Sequence, residues 1–216
     1  MSAESGIPTF RGSDGLWENH RIEDVATPEA WRKDPALVLE FYNQRRKRII
    51  EAEPNNGHYQ IAKWQNDFDV TVVTQNIDDL HERAGSRHVL HLHGEIRKAR
   101  STFNPNLVSE IKGWELQLGD KCEKGSQLRP HIVWFGEEVP MLQVAAEIIE
   151  ESDLFVVVGT SLQVYPAAGL IHHAKAATQK FLVDPAAHEL ISRHGWSLVN
   201  KGAAEGLEQI DSDMLR

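Results

Sequence analysis

The 216-residue sequence has only one cysteine, Cys122. A lone thiol cannot build an internal disulfide framework and fits a reducing compartment. No uninterrupted apolar run approaches the roughly 20 residues that span a bilayer. Met1 is not followed by a charged leader and an apolar core of the secretory type. The expected setting is therefore cytoplasmic, with no membrane partner. Positive charge is also in short supply, with 23 Lys and Arg against 32 Asp and Glu and a formal charge of -9. Non-specific nucleic-acid affinity comes from clustered Lys and Arg neutralising phosphates, so this balance argues against a polyanion binder and no specific nucleic-acid partner is expected. No internal repeat or low-complexity tract is found. A monomer is the expected state.

What is present suits a folded α/β chain. With 41% hydrophobic and 25% charged residues, the chain can bury one core, or one core plus a small lobe. Apolar runs at Val70 to Val73, Val89 to Leu92, Leu154 to Val158 and Phe181 to Val183 read as strands, and Leu154 to Val158 is the most clearly buried of them. Between them lie helical patterns. Thr27-Pro28-Glu29 and Asp34-Pro35 carry a capping side chain followed by proline, which marks helix starts. Leu37, Phe41 and Ile49 then recur at roughly helical spacing up to Pro54. Further helices are expected over Asn55 to Gln65, with Tyr59, Ala62 and Trp64 as core contacts, over Met141 to Glu151, from Tyr165 through Lys175, and after Gly202. Alternating strands and helices indicate a doubly wound, mostly parallel sheet. Arg45-Arg46-Lys47-Arg48 reads most simply as a solvated face. Trp17, Trp31, Trp64, Trp114, Trp134 and Trp196 read as core or pocket-rim residues.

Chemistry concentrates in Thr74 to Glu95, TQNIDDLHERAGSRHVLHLHGE. Gln75, Asn76 and Asp78 follow the carboxyl end of a strand, where open α/β sheets bind ligands. The next strand leads into His93-Gly94-Glu95, which sets an imidazole beside a residue that lets the backbone turn sharply. One amide, one carboxylate and one imidazole would thus face a shared crevice. The plainer alternatives are a turn histidine at His93 and a helix cap at Asp78 before Leu80. Gly159-Thr160-Ser161 follows an all-apolar strand, so small hydroxyls and free amides emerge where phosphate contacts are made.

TQNID followed by HGE, with ESGIPTFRG before them and WFGE and GTS after them, resembles the sirtuins, the NAD-dependent protein lysine deacylases. The resemblance runs from Ser2 to about Leu207. It implies a Rossmann-like doubly wound α/β fold with a large lobe over 1–14, 56–96 and 129–216 and a small helical lobe over 15–55 and 97–128. Met1 to Gly12 is similar to the second half of the family's cofactor loop, which elsewhere follows an apolar strand and a Gly-Ala-Gly turn. On that basis, either the natural start lies upstream or the cofactor is bound poorly. The resemblance implies NAD contacts at Ser2, Ala3, Phe10, Arg11, Gln75, Asn76, Asp78, Gly159, Thr160, Ser161, Asp184 and Ala203. Asp184 stands where the family generally carries Asn. Ile7 and Pro8 would form an apolar wall. His93 would act as general base, its ordinary pKa of about 6.5 lying near operating pH, while Asn76 would order the ribose and a water.

The acyl-lysine protein or peptide would be bound by Val133, Phe135, Gly136 and Glu137 as an added strand. Tyr42 and Arg45, three apart on one helix, match the Tyr-x-x-Arg pair of the family branch that removes acidic acyl groups. Succinyl- or malonyl-lysine is therefore favoured over acetyl-lysine. Paired zinc cysteines, common in the family, are missing. Between Arg97 and Leu128 only Cys122 is of ligand type, Ser101 stands where a first cysteine belongs, and a structural zinc needs four ligands. No zinc is expected, with Phe103, Leu107, Ile111, Trp114 and Leu116 holding that lobe. The implied activity is NAD-dependent protein deacylation releasing nicotinamide and O-acyl-ADP-ribose. A catalytically impaired module that binds acyl-lysine or ADP-ribose, and a protein ADP-ribosyltransferase, are the competing readings.

Overall fold

The computed structural model describes residues 1–8, 16–17, 20–190 and 195–214. A 3-10 turn at Ser2–Ser5 precedes strands β1 (Leu16–Trp17) and β2 (His20–Arg21), then helices α1 (Ile22–Val25), α2 (Pro28–Lys33), α3 (Pro35–Glu51) and α4 (Asn56–Trp64). Strand β3 (Val72–Thr74), helix α5 (Leu80–Arg83) and strands β4 (Val89–His91), β5 (Gly94–Ser101), β6 (Val108–Glu110) and β7 (Leu128–Ile132) follow. The remainder is α6 (Leu142–Glu151), β8 (Leu154–Val158), a 3-10 helix at Ala167–His173, β9 (Gln179–Val183), α7 (Ala187–Leu190), β10 (Ser197–Val199) and α8 (Ala203–Met214).

The helix starts form where capping chemistry puts them. Thr27 Oγ1 accepts from the Ala30 N–H at 3.0 Å, and Asp34 Oδ1 accepts from the Leu37 N–H at 3.0 Å, with Pro28 and Pro35 in the first turns. Asn55 caps α4, and His58 Nδ1 accepts from the Asn55 N–H in return. Helix α3 buries Val38, Phe41, Tyr42 and Ile49. Its basic run is not a solvated face, because Arg45 and Arg46 are buried while Lys47 and Arg48 are exposed. Arg46 donates to Ile96 O at 2.6 Å, Asn43 Oδ1 at 2.7 Å and Trp114 O at 2.7 Å. These bonds engage Nε and Nη1, while Nη2 is buried without a partner, so the guanidinium is mostly but not fully compensated for its burial. Burial lowers its pKa only to about 10, so it stays charged at neutral pH.

The protein is a Rossmann-like α/β fold. Strands β3 and β4 pair in parallel with Thr74 beside His91, and β10-β9-β8 form a second parallel sheet. Strand β9 lies between its neighbours and buries Phe181, Leu182 and Val183, whereas in β8 only Val157 is buried. The apolar run at 154–158 is thus less enclosed than its composition suggests, because it stands at one end of its three-stranded sheet. Ile61 and Trp64 of α4 pack with Phe181, Val183, Val199, Leu207 and Ile210. Tyr59 is 49% exposed rather than a core contact. It sits two positions from Ile61, about 200° around the helix from the buried stripe. In place of the α-helix expected from Tyr165 through Lys175 the chain forms a 3-10 helix over Ala167–His173, with Gly169 N–H bonded to Pro166 O.

A separate antiparallel sheet has the order β6-β5-β7. Ile111 and Leu116 pack there with Leu39 and Ala99, as expected of them. Phe103 does not, being 85% exposed. Ser101 Oγ accepts from both the Phe103 and Asn104 N–H groups, and this turn carries the ring outward. Among the described residues no helix is long and apolar enough to cross a membrane.

Candidate active site

The parallel register of β3 and β4 brings Gln75 and Asn76 beside the segment that carries His93. Leu92 N–H bonds Thr74 O at 2.9 Å, and the Asn76 N–H turns back to Thr74 Oγ1 at 3.0 Å. His93 Nδ1 then lies 3.1 Å from Gln75 O. A carbonyl oxygen only accepts, so Nδ1 carries the hydrogen and the neutral ring presents a lone pair at Nε2. Burial pulls the imidazole below its ordinary pKa, so at neutral pH that lone pair is available. Gly94 has φ of 82°, and a Cβ there would lie 2.1 Å from His131 O, so only glycine permits the turn after His93.

Ser2 joins the two polar groups that the sequence places after β3. Asn76 Nδ2 donates to Ser2 Oγ at 2.8 Å, and the Ser2 hydroxyl is also bonded to Asp78. Asp78 is 3% exposed and accepts from the Leu80 N–H at 3.3 Å, so it does act as a local cap. Burial raises its pKa, an effect opposed by Ser2, the Leu80 N–H and the charge of His91.

Other expected cofactor residues follow the carboxyl ends of β8 and β9. Gln75 Nε2 is 3.5 Å from Thr160 Oγ1. Gly159, with φ of 58°, donates its N–H to Val183 O at 2.9 Å, and a Cβ on it would lie 2.5 Å from the Met1 nitrogen. Segments 1–3, 75–78 and 159–160 therefore meet beyond the carboxyl ends of β3 and β8. Ser161 is half-buried next to them, and Ala3 is exposed. Asp184 is buried and uses Oδ1 to accept from the Ala186 N–H at 2.9 Å, which engages its carboxylate at the start of α7. The Ala203 and Ala204 N–H groups, at the start of α8, bond the Glu4 carboxylate at 2.5 and 3.1 Å. Phe10 and Arg11 lie outside the described residues. Hydroxyls and amides of Ser2, Gln75, Asn76 and Thr160, with a glycine at the strand end, are a donor and acceptor set suited to ribose hydroxyls and phosphate. The residues present thus fit a dinucleotide.

On the other side of His93, the Val133 N–H donates to His93 O at 2.9 Å, tying the exit of β7 to the imidazole-bearing segment. Tyr42 is fully buried and its hydroxyl accepts from Trp134 Nε1 at 3.0 Å, while burial pushes its pKa well up. Arg45 directs both terminal nitrogens at Pro8 O, each at 3.2 Å. Phe135 is 43% exposed, and Gly136 occupies a turn with φ of 87°. The Glu137 side chain turns inward. It pairs with Arg129 at 2.6 Å and Arg100 at 3.0 Å and accepts from the Trp134 N–H at 2.9 Å. Arg100 and Arg129 face each other across β5 and β7, and Glu137 supplies the anion that two adjacent guanidiniums need. Sequence reasoning missed that role, and its only signal is the register of the two strands. The other omission is Ser2 as the bridge between Asn76 and Asp78. Cys122 is half-buried and bonded to the Ser101 hydroxyl. Among the described residues no group of three or more His, Cys, Asp or Glu is placed to hold a metal ion.

Comparison with known proteins gives concordant results. The model of the Sir2 family matches residues 1–166. An NAD-dependent protein deacylase of Bacteroides thetaiotaomicron is 49% identical over 215 residues, covering 97% of this chain and 92% of the relative. One from Helicobacter pylori (strain 26695) is 47% identical over 212 residues, covering 97% and 91%. A solved structure of a Sir2 homologue in complex with NAD superposes with a TM-score of 0.86 at 39% identity, covering 99% of this chain and 85% of the other.

Proposed function

This chain belongs to the Sir2 family and is an NAD-dependent protein deacylase, and from that premise we propose that His93 is its general base and that acidic acyl groups on lysine are its preferred cargo. The observation that carries the first part is the bond from His93 Nδ1 to Gln75 O, which leaves Nε2 as the proton acceptor. NAD, when bound, supplies a cleavable bond between nicotinamide and ribose, and ribose hydroxyls that take over the acyl group. Ser2, Gln75, Asn76 and Thr160 would bind the ribose and phosphate portions, and Asp78 the carboxamide. His93 takes up a proton at Nε2, which is free at neutral pH because burial lowers the ring's pKa. The tie between Val133 N–H and His93 O holds the peptide-binding segment and the base in one frame. In this reading Val133, Phe135, Gly136 and Glu137 receive the substrate strand, Glu137 through its backbone because its carboxylate is engaged.

The acyl preference rests on Tyr42 and Arg45, buried side by side on α3. A guanidinium grips a carboxylate through two parallel hydrogen bonds, and a phenol adds a further donor. Residues 15–55 and 97–128 form the smaller lobe in this account, and the single thiol supports a cytoplasmic setting. Incubation of the protein with NAD and either succinyl-lysine or acetyl-lysine peptide tests the reading. Nicotinamide release that requires the acylated peptide, and is faster with succinyl-lysine, is expected. NAD-independent peptide binding without turnover would identify an acyl-lysine reader, and ADP-ribose attached to protein would identify a transferase.

A further inference from the structure

His91 and Glu82 take no part in the site as described, yet they sit directly behind it. His91 closes β4, and its side chain is 7% exposed. Its Nδ1 lies 3.1 Å from Asn76 O and its Nε2 lies 2.8 Å from Glu82 Oε1 on α5. The arrangement repeats the one at His93. Two imidazoles, two residues apart, hold the carbonyls of consecutive residues, Gln75 and Asn76. The two rings nevertheless differ in state. His93 has one nitrogen on an acceptor, whereas His91 has an acceptor at each nitrogen. A carbonyl and an ionised carboxylate both only accept, so both bonds are made only when both His91 nitrogens carry hydrogen. Geometry alone therefore assigns His91 as an imidazolium.

We propose that His91, held as a cation by Glu82, is a positioning residue for the deacylation reaction, clamping the Asn76 carbonyl, so that its deprotonation sets the alkaline limit of activity. The inference rests on the deacylase reading above. The charged or titratable groups facing His91 are Glu82 and His81 from α5, Asp78 before that helix and Glu95 from β5. Glu82 dominates the attraction, raising His91 above its ordinary value while its own pKa falls. For a raised imidazole the paired state is complete below about 6.5 and is lost as pH climbs through the raised value. Beyond that point one ring nitrogen turns a lone pair toward an oxygen, and the clamp between Asn76 O and Glu82 loses one of its two bonds.

The test combines two readouts on wild type, Glu82→Gln and His91→Gln. Imidazole nitrogen chemical shifts, followed by NMR without NAD, report the charge of His91, and the pH dependence of kcat/KM for NAD reports its effect. Wild type is expected to show a doubly protonated His91 at pH 7 that titrates together with the alkaline limb. In Glu82→Gln the NMR midpoint and the alkaline limb should move together to lower pH, by about one unit, leaving the acid limb in place. His91→Gln should lower kcat/KM at pH 7 about tenfold and abolish the His91-linked limb. A neutral His91 at pH 7 overturns the proposal, as does an alkaline limb that stays put while the NMR midpoint moves. A wild-type protein inactive at every pH would instead overturn the deacylase reading on which the inference rests.

Discussion

Ser2 Oγ accepts a hydrogen bond from Asn76 Nδ2 across 2.8 Å, linking the first turn of the chain to the end of β3. The same hydroxyl is bonded to Asp78, so one small side chain orients both the amide and the carboxylate. Ser2→Ala is expected to raise the KM for NAD severalfold and to cost about 1 kcal/mol of stability, the usual worth of such a bond. Steady-state kinetics with varied NAD, together with urea unfolding, check this. An unchanged KM would remove Ser2 from the cofactor site.

Arg45 carries the acyl-group prediction. Replacement by Met keeps the stem but removes the fork that grips a carboxylate. The expected result is a loss of about tenfold or more in kcat/KM for succinyl-lysine peptide, with a much smaller change for acetyl-lysine. Equal losses with both peptides would assign Arg45 to structure alone.

Glu137 is the anion between two facing arginines, and all three side chains are largely buried. Glu137→Gln should destabilise the fold by about 3 kcal/mol, because it strands two guanidiniums. The arginines hold the Glu137 carboxyl below its ordinary pKa, so the stabilisation is present above about pH 4.5 and is lost as pH falls through the lowered value. Urea midpoints of wild type and variant should therefore converge in acid.

His58 and His81 are buried with ring centroids 4.8 Å apart, and burial pushes them down to about 3 and about 4. Both stay neutral in the folded protein at pH 5, whereas in the unfolded chain they begin to protonate below about 6.5. Unfolding then takes up protons, so stability is complete above pH 6.5 and falls as pH drops toward 4. Each imidazole contributes a slope of up to about 1.4 kcal/mol per pH unit. Unfolding free energies measured from pH 7 to pH 4 should show that slope, and His81→Phe should flatten it by up to one proton.

Local chemistry was the legible part of this sequence. The caps at Thr27, Asp34 and Asn55 depend on side chains bonding backbone a few residues away, and they form as the residue order indicates. The strand ends that carry Gln75, Asn76 and His93 were legible too, because apolar runs followed by polar residues mark sheet edges. What escaped depends on partners distant in the chain. Arg46 is buried because Ile96 and Trp114 present carbonyls to it, which a run of four basic residues does not reveal. Glu137 turns inward because β5 and β7 pair in a register that aligns Arg100 with Arg129. Likewise, the half-exposure of β8 follows from its place in the strand order, not from its composition.

The central claim is that the lone pair at His93 Nε2 draws off a proton during NAD-dependent deacylation. Its most direct test is the rate of peptide-dependent nicotinamide release by wild type and His93→Ala at saturating NAD and succinyl-lysine peptide, with both proteins shown to be folded. The account predicts that wild type forms deacylated peptide and nicotinamide in equal amounts and that His93→Ala loses at least about 100-fold of this rate. Undiminished deacylation by His93→Ala, or nicotinamide release by wild type that ignores the acylated peptide, would contradict it.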